Sequence, residues 1–166
     1  NAEWFYGRTQ NNHFWEVLPR LYQEPSLISA SPAAWKAFCQ RQHIAITDLI
    51  ASINDADAEN PEHHHWLKDY SDANITQKFK QHKCIKITDL LQQHSTIRNV
   101  YFTRGAGPAF WRQQWKEVER YSAAQNLHCS TLLTPSGYAY FQLGRYKRQH
   151  PETKLSLSDF ILQRWQ

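Results

Sequence analysis

The sequence predicts an α/β fold, a three-layer α/β/α sandwich with a short, mainly parallel central sheet. Three observations predict it. Helical periodicities and short apolar runs alternate along the chain. The runs that read as strands are mostly apolar, as strands covered on both faces are. Hydrophobic residues make up 41% of the 166 residues and aromatics 14%. That is enough for one real core and too ring-rich for a disordered chain, so residues 1–166 are read as a single domain.

The elements follow in order. Phe14, Val17, Leu18, Leu21 and Tyr22 recur at helical spacing, with Asn12 as the N-cap and Pro19 as a kink or stop. Ser31-Pro32 opens a second helix through Trp35 and Phe38, Pro being tolerated in the first turn. The period then changes, and Ile44 to Ile50 reads as a buried strand. Residues 54–74 are rich in Asn, Asp, Glu and His and read as a long surface loop. Thr88 is expected to cap a short helix through Leu90 and Leu91.

Ile97 to Phe102 reads as the next strand, broken by Gly105 and Gly107-Pro108. A helix follows with Trp111, Trp115, Val118 and Ser122 on one side. Leu127 to Leu133 is the third strand, Pro135-Ser136-Gly137 a loop, and Tyr138 to Arg148 a basic, aromatic stretch. Ser158 is expected to cap a last helix carrying Phe160, Ile161 and Trp165. Sheets of this kind usually hold four or more strands, so a first strand missing from this chain, upstream of Asn1, fits the pattern. Ligands of open α/β sheets bind beyond the carboxyl ends of the strands. That directs attention to Asp48, Thr103-Arg104 and the segment from Thr134 to Tyr138.

Composition removes several function classes. No stretch approaches about 18 apolar residues, so no membrane span is expected. The sequence contains no Walker loop, no G-x-G-x-x-G, no G-x-S-x-G and no H-E-x-x-H. Cys39, Cys84 and Cys129 are odd in number and far apart, which fits small core residues in a reducing cytosol better than a disulfide or zinc framework. His63-His64-His65 are consecutive, and neighbours on one element cannot all face one ion, so no metal is expected. Lys and Arg number 19 against 15 Asp and Glu, a net charge of +4 that favours a polyanionic partner.

Four segments carry a more specific pattern. They are Phe5-Tyr6-Gly7 with Asn11-Asn12-His13-Phe14-Trp15, His43 to Asp48, Ile97 to Phe102, and Leu133-Thr134-Pro135-Ser136-Gly137-Tyr138. In this order and spacing they resemble the uracil-DNA glycosylase superfamily, nearest to its mismatch-specific uracil/thymine and hypoxanthine branches. The resemblance implies hydrolysis of the N-glycosidic bond of a damaged or deaminated base, with no cofactor. Such chemistry needs the base flipped out of the stack, stacked on a ring and read at its pairing edge.

By that resemblance Tyr6 is the stacking ring, and Asn12 matches the Asn implicated in catalysis in the hypoxanthine-type branch. An amide can orient water or base but is no strong general base. Asp48 falls where the classical uracil enzymes carry an Asn that reads the base edge. Thr134 stands where the better-known branches use His or Asn to stabilise the leaving base, and a hydroxyl is the weaker partner. Ser136 and Gly137 belong to the minor-groove loop, and Tyr138 takes the place of its wedge. Arg145, Lys147 and Arg148, interleaved with Tyr140 and Tyr146, suit phosphate contact.

The family's first motif, which carries the water-activating residue in most branches, has no counterpart from Asn1 onward. The expectation is therefore a monomeric, cytoplasmic base-excision repair enzyme acting on double-stranded DNA with a lesion. The alternative is a non-catalytic nucleic-acid-binding module on a glycosylase-like fold. A third reading is a partner-binding domain that uses residues 54–74 as its interface.

Overall fold

The computed structural model describes residues 4–7, 12–68, 72–104 and 109–166. In chain order the elements are α1 (Phe14–Leu21), α2 (Pro32–Arg41), β1 (Ile50–Ile53), α3 (Pro61–Leu67), α4 (Asp72–Lys78) and β2 (His82–Cys84). Then come α5 (Ile87–Gln93), β3 (Asn99–Phe102), α6 (Ala109–Ala124), β4 (His128–Thr131), α7 (Gly137–Gln149) and α8 (Leu157–Trp165). The chain is α/β, and it divides into two compact units. The first comprises residues 1–47, 103–105 and 131–166, and the second 48–102 and 106–130.

The first unit is built on aromatic packing. Phe14, Trp15, Val17, Trp35, Phe38, Cys39, Ala139, Ile161 and Trp165 form its buried core. Trp15 stacks on Trp35 with ring centroids 5.2 Å apart and planes 4° from parallel. Pro19 does not stop α1 where it stands but two residues later, at Leu21. Having no N–H, Pro19 leaves the Trp15 carbonyl without its helical donor. Leu27 N–H fills that place at 2.8 Å and folds the following loop back onto the helix. Beyond the helix Gln23 takes a left-handed φ of 59°, and Glu24 N–H closes onto the Pro19 carbonyl at 3.0 Å. The α2 helix opens at Ser31-Pro32 as expected, and Ser31 Oγ caps it by accepting from Ala34 N–H.

The second unit packs α5 and α6 over a strand pair. Leu91, Trp115 and Val118 are buried, with Ile97, Val100, Phe102, Leu127 and Cys129 against them. The α6 stripe of Trp111, Trp115, Val118 and Ser122 is buried as its spacing predicts. Strands β3 and β4 pair in parallel, joined through α6 as a parallel pair requires a crossover. Strands β1 and β2 form a separate antiparallel pair with Ile53 opposite His82 and an irregularity between Ile50 and Ser52.

Several sequence expectations are corrected. The segment Ile44–Ile50 is not a strand: residues 44–48 belong to no helix or strand, and β1 begins only at Ile50. Ile44 and Ile46 still pack against the first unit's core, so their alternation reflects one-sided burial without a strand partner. Residues 54–74 are no plain loop, because Asn60 caps α3 through Glu62 N–H at 2.9 Å and α4 begins at Asp72. Helix α5 starts one residue before Thr88, with Lys86 at the cap position and no side-chain cap bond. In α8 the cap is Ser156, whose Oγ accepts from Asp159 N–H at 3.1 Å, and Ser158 is buried inside the helix. Gly105, Gly107 and Pro108 lie outside the described residues, as does Asn11.

Candidate functional site

Most of the residues singled out by sequence lie in the first unit, where hydrogen bonds and ring contacts hold their segments together. Asn12 Oδ1 accepts from Phe14 N–H at 2.9 Å, so Asn12 acts as a cap from one residue before the helix boundary. The backbone N–H of His13 donates to the Pro135 carbonyl at 2.9 Å. That bond ties the Asn12-His13-Phe14-Trp15 segment to the Pro135-Ser136-Gly137 loop. Trp15 Nε1–H donates to the Phe5 carbonyl at 2.9 Å, and Trp165 Nε1–H to the Leu133 carbonyl at 2.8 Å. Two indoles from the core therefore fix the two loops that carry Tyr6 and Thr134.

Tyr6 has a left-handed φ of 54°, an uncommon conformation for an aromatic residue and one that needs support from its surroundings. The support is visible. The Tyr6 ring stacks on Phe14 with centroids 3.9 Å apart and planes 8° from parallel. Gly7 N–H closes the turn onto the Trp4 carbonyl, and the Tyr6 hydroxyl is hydrogen-bonded to Thr103 Oγ1. Thr103 was marked by its place after β3, and this contact brings it to Tyr6. Its neighbour Arg104 is partly buried, and burial lowers the pKa of its guanidinium.

Pro135 is fully buried, and Ser136 N–H bonds to the Thr134 carbonyl at 2.9 Å. Gly137 then opens α7. Ala139 and Leu143 face the core, and Tyr146 leans inward on Phe160 with centroids 5.5 Å apart. This leaves Tyr138 43%, Tyr140 70% and Phe141 57% exposed. Arg145, Lys147 and Arg148 are also exposed. Tyr138, Phe141, Arg145 and Arg148 follow one another at three- and four-residue steps, so they form one row, with rings at the loop end and cations at the far end. Tyr140 and Lys147 flank it. Tyr146 is the exception to the expected surface set.

A polar cluster joins α1 to α8. His13 Nδ1 lies 2.7 Å from Glu16 Oε2 and 3.4 Å from Ser158 Oγ, and Arg20 meets Asp159 at 2.7 Å. Burial raises the Glu16 pKa, but hydrogen bonds from Ser158 and His13 and the charges of His13 and Arg20 outweigh it, and the pKa ends below the ordinary value. The Arg20–Asp159 pair is well exposed and contributes little to stability.

Asp48 belongs to the second unit. It precedes β1 instead of ending a strand, so its placement by strand position is corrected. It keeps an exposed surface, yet crowding around the carboxyl desolvates it and raises its pKa. Two of the three histidines of α3 are engaged locally. Asp57 N–H donates to His63 Nδ1 at 2.9 Å, His64 Nε2 contacts the Ala58 carbonyl, and the His63 ring packs on Phe79. Among the described residues no three His, Cys, Asp or Glu side chains cluster as a metal site would, and no helix is long and apolar enough to cross a membrane.

No family model, no curated protein and no solved structure matches the chain. Sequence reasoning passed over His13, Glu16 and Phe141 and took Ser158 for a cap. The signals were present: His13 and Glu16 are three apart on the first turn of a helix, and Phe141 continues the row of Tyr138 and Arg145.

Proposed function

We propose that the chain is a monofunctional DNA glycosylase of the uracil-DNA glycosylase type. It would hydrolyse the N-glycosidic bond of a damaged or deaminated base, in the cytosol, without metal or organic cofactor. The finer fold that goes with this reading is the three-layer α/β/α sandwich with a mainly parallel central sheet. The single observation that carries the reading is the His13 N–H to Pro135 carbonyl bond. It joins the two most specific motif segments into one site, as a pocket that both grips a base and enters a duplex requires.

In this site Phe14 backs one face of Tyr6, and a flipped base would stack on the other. Asn12 would orient base or water, and Thr134 and Ser136 would lie near the deoxyribose and its phosphate. Tyr138, with Gly137 before it, would enter the stack as a wedge. The row of Arg145 and Arg148 with Lys147 would follow the phosphates. On the resemblance alone, Asp48 would read the base edge. A carboxyl accepts from N3–H but donates to O4 only when protonated, a form its desolvation favours.

The test uses the chain with single-lesion duplexes bearing uracil, mispaired thymine or hypoxanthine, and scores abasic sites by alkaline cleavage. Abasic sites on at least one duplex support the reading, and none on any overturns it. The triple change of Arg145, Lys147 and Arg148 to Ala should flatten the slope of log K against log salt. Asp48→Asn should raise uracil excision relative to hypoxanthine, and an unaltered ratio would return Asp48 to a structural role.

One observation favours the second reading, a non-catalytic nucleic-acid-binding module. The Asn12 amide oxygen is already committed to Phe14 N–H as a helix cap. That reading requires lesion-independent, salt-sensitive binding with no excision.

A further inference from the structure

The proposed hydrolysis needs a group that takes a proton from water, and Asn12 and Thr134 cannot do so efficiently. We propose that His13 is that group: its Nδ1–H is held by Glu16, and its Nε2 accepts the proton of the attacking water. The inference rests on the glycosylase reading and deepens it.

Glu16 is held ionised by Ser158, His13 and Arg20, so its carboxylate only accepts. The 2.7 Å contact therefore requires the proton on His13 Nδ1. Ser158 Oγ, 3.4 Å from the same nitrogen, gives its own proton to Glu16 and receives at most a weak share of Nδ1–H. Ser158 is buried with 6% exposure, so the Glu16 carboxylate is backed by a buried hydroxyl on its α8 side. In the neutral ring, with Nδ1 the donor, Nε2 carries the lone pair. No described residue bonds to it, and the side chain keeps 26% of its surface.

The His13 backbone is bonded to the Pro135 carbonyl, which places the residue beside Thr134 and Ser136, and it follows Asn12 directly. The ring is thus fixed from one side by a carboxylate, and its backbone is tied to the loop where the deoxyribose would lie. A carboxylate–imidazole pair of this kind orients the base and stabilises the imidazolium that forms. In the step, a water oxygen bonds to C1′ while the C1′–N bond breaks. The bonding pair leaves with the base as an anion. The water proton goes to His13 Nε2, and the imidazolium then gives it to the departing base. The charged and titratable groups around His13 are Glu16 and Arg20 on its own helix and Asp159 on α8, the last already paired with Arg20.

The experiment measures single-turnover excision against pH for wild type, His13→Gln, Glu16→Gln and Ser158→Ala, with duplex binding recorded for each. His13→Gln should bind as wild type does, through α7, yet excise about 100-fold more slowly or less, and lose the acid limb of the wild-type profile. Glu16→Gln should lose less and Ser158→Ala least. Imidazole nitrogen shifts of the intact chain should show Nδ1–H and bare Nε2 in wild type, and a mixed tautomer in Glu16→Gln. Excision by His13→Gln at the wild-type rate and pH profile overturns the role of His13 and leaves the glycosylase reading standing. A wild type that excises nothing overturns both.

Discussion

Trp15, Trp35 and Trp165 in the first unit and Trp115 in the second are all buried, but their indole N–H groups are treated differently. In the first unit each donates to a loop carbonyl, of Phe5, Leu27 and Leu133 at 2.9, 2.7 and 2.8 Å. In the second, Trp115 stacks on Phe102 at 4.7 Å, and its buried Nε1 has no hydrogen-bond partner among the described residues. The first unit uses its tryptophans as both core and anchor, and two of the anchored loops carry candidate site residues. The second uses Trp115 as core alone. Rigid support of this kind is what a site needs to hold its groups in one geometry.

The largest expected effect breaks the anchor without removing the ring class. Trp15→Phe should cost about 1–3 kcal/mol for the unpaired Phe5 carbonyl in addition to the lost ring volume. Trp115→Phe loses volume but relieves an unpaired donor, so it should cost less. Denaturant unfolding of both variants checks the order. Equal losses would mean that the indole bonds of the first unit contribute nothing beyond packing.

The same contrast explains what could be read from the sequence. Apolar stripes at helical spacing were legible, as in α6 and α8, because burial of one face fixes both pattern and structure. The corrections fall where a polar residue had two possible partners. Ser156 and Ser158 both precede Phe160, and only the fold shows that Ser156 caps α8 while Ser158 turns inward to Glu16. Ile44 to Ile50 has the right residues for a strand, but pairing is a long-range property that a local pattern does not carry. At the site, the motif segments were visible as separate pieces. Their joining through His13 and Pro135 is a contact across more than a hundred residues, and no spacing rule encodes it.

A smaller effect sharpens the comparison at helix ends. In the first unit Ser156 and Asp159 form a reciprocal cap at the start of α8, with Ser156 Oγ accepting from Asp159 N–H and also bonding its carboxylate at 2.6 Å. In the second, α5 has Lys86 in the cap place with extended backbone, no side-chain bond, and Asp89 three residues on. Lys86→Ser reproduces at α5 the Ser-x-x-Asp arrangement of α8. It should stabilise the protein by roughly 1 kcal/mol, and Ser156→Ala should destabilise it by about the same amount. Thermal unfolding of the two variants measures both. A loss on Lys86→Ser would show that Lys86 holds α5 by a contact other than a cap.

A pH dependence separates the units by their cysteines. Burial in the aromatic core pushes the Cys39 thiol up to about 11 from 9.0. Burial also raises Cys129, with Glu119 adding to it, but a hydrogen bond from Ser122 favours its thiolate and offsets part of the shift. In the unfolded chain Cys39 ionises near its ordinary value, so between about pH 9 and 11 the unfolded state binds fewer protons than the native one. Stability therefore falls as pH rises through that window, and the contribution of Cys39 is complete only below it. Cys39→Ala removes the titrating group at the expense of a small cavity. It should lower stability at pH 7 and flatten the decline between pH 9 and 11 relative to wild type. Thiol alkylation followed against pH gives an independent reading, with Cys129 reacting at lower pH than Cys39. An unchanged alkaline slope in Cys39→Ala, with Cys39 alkylated first, would place the pH sensitivity in the second unit and reverse the comparison.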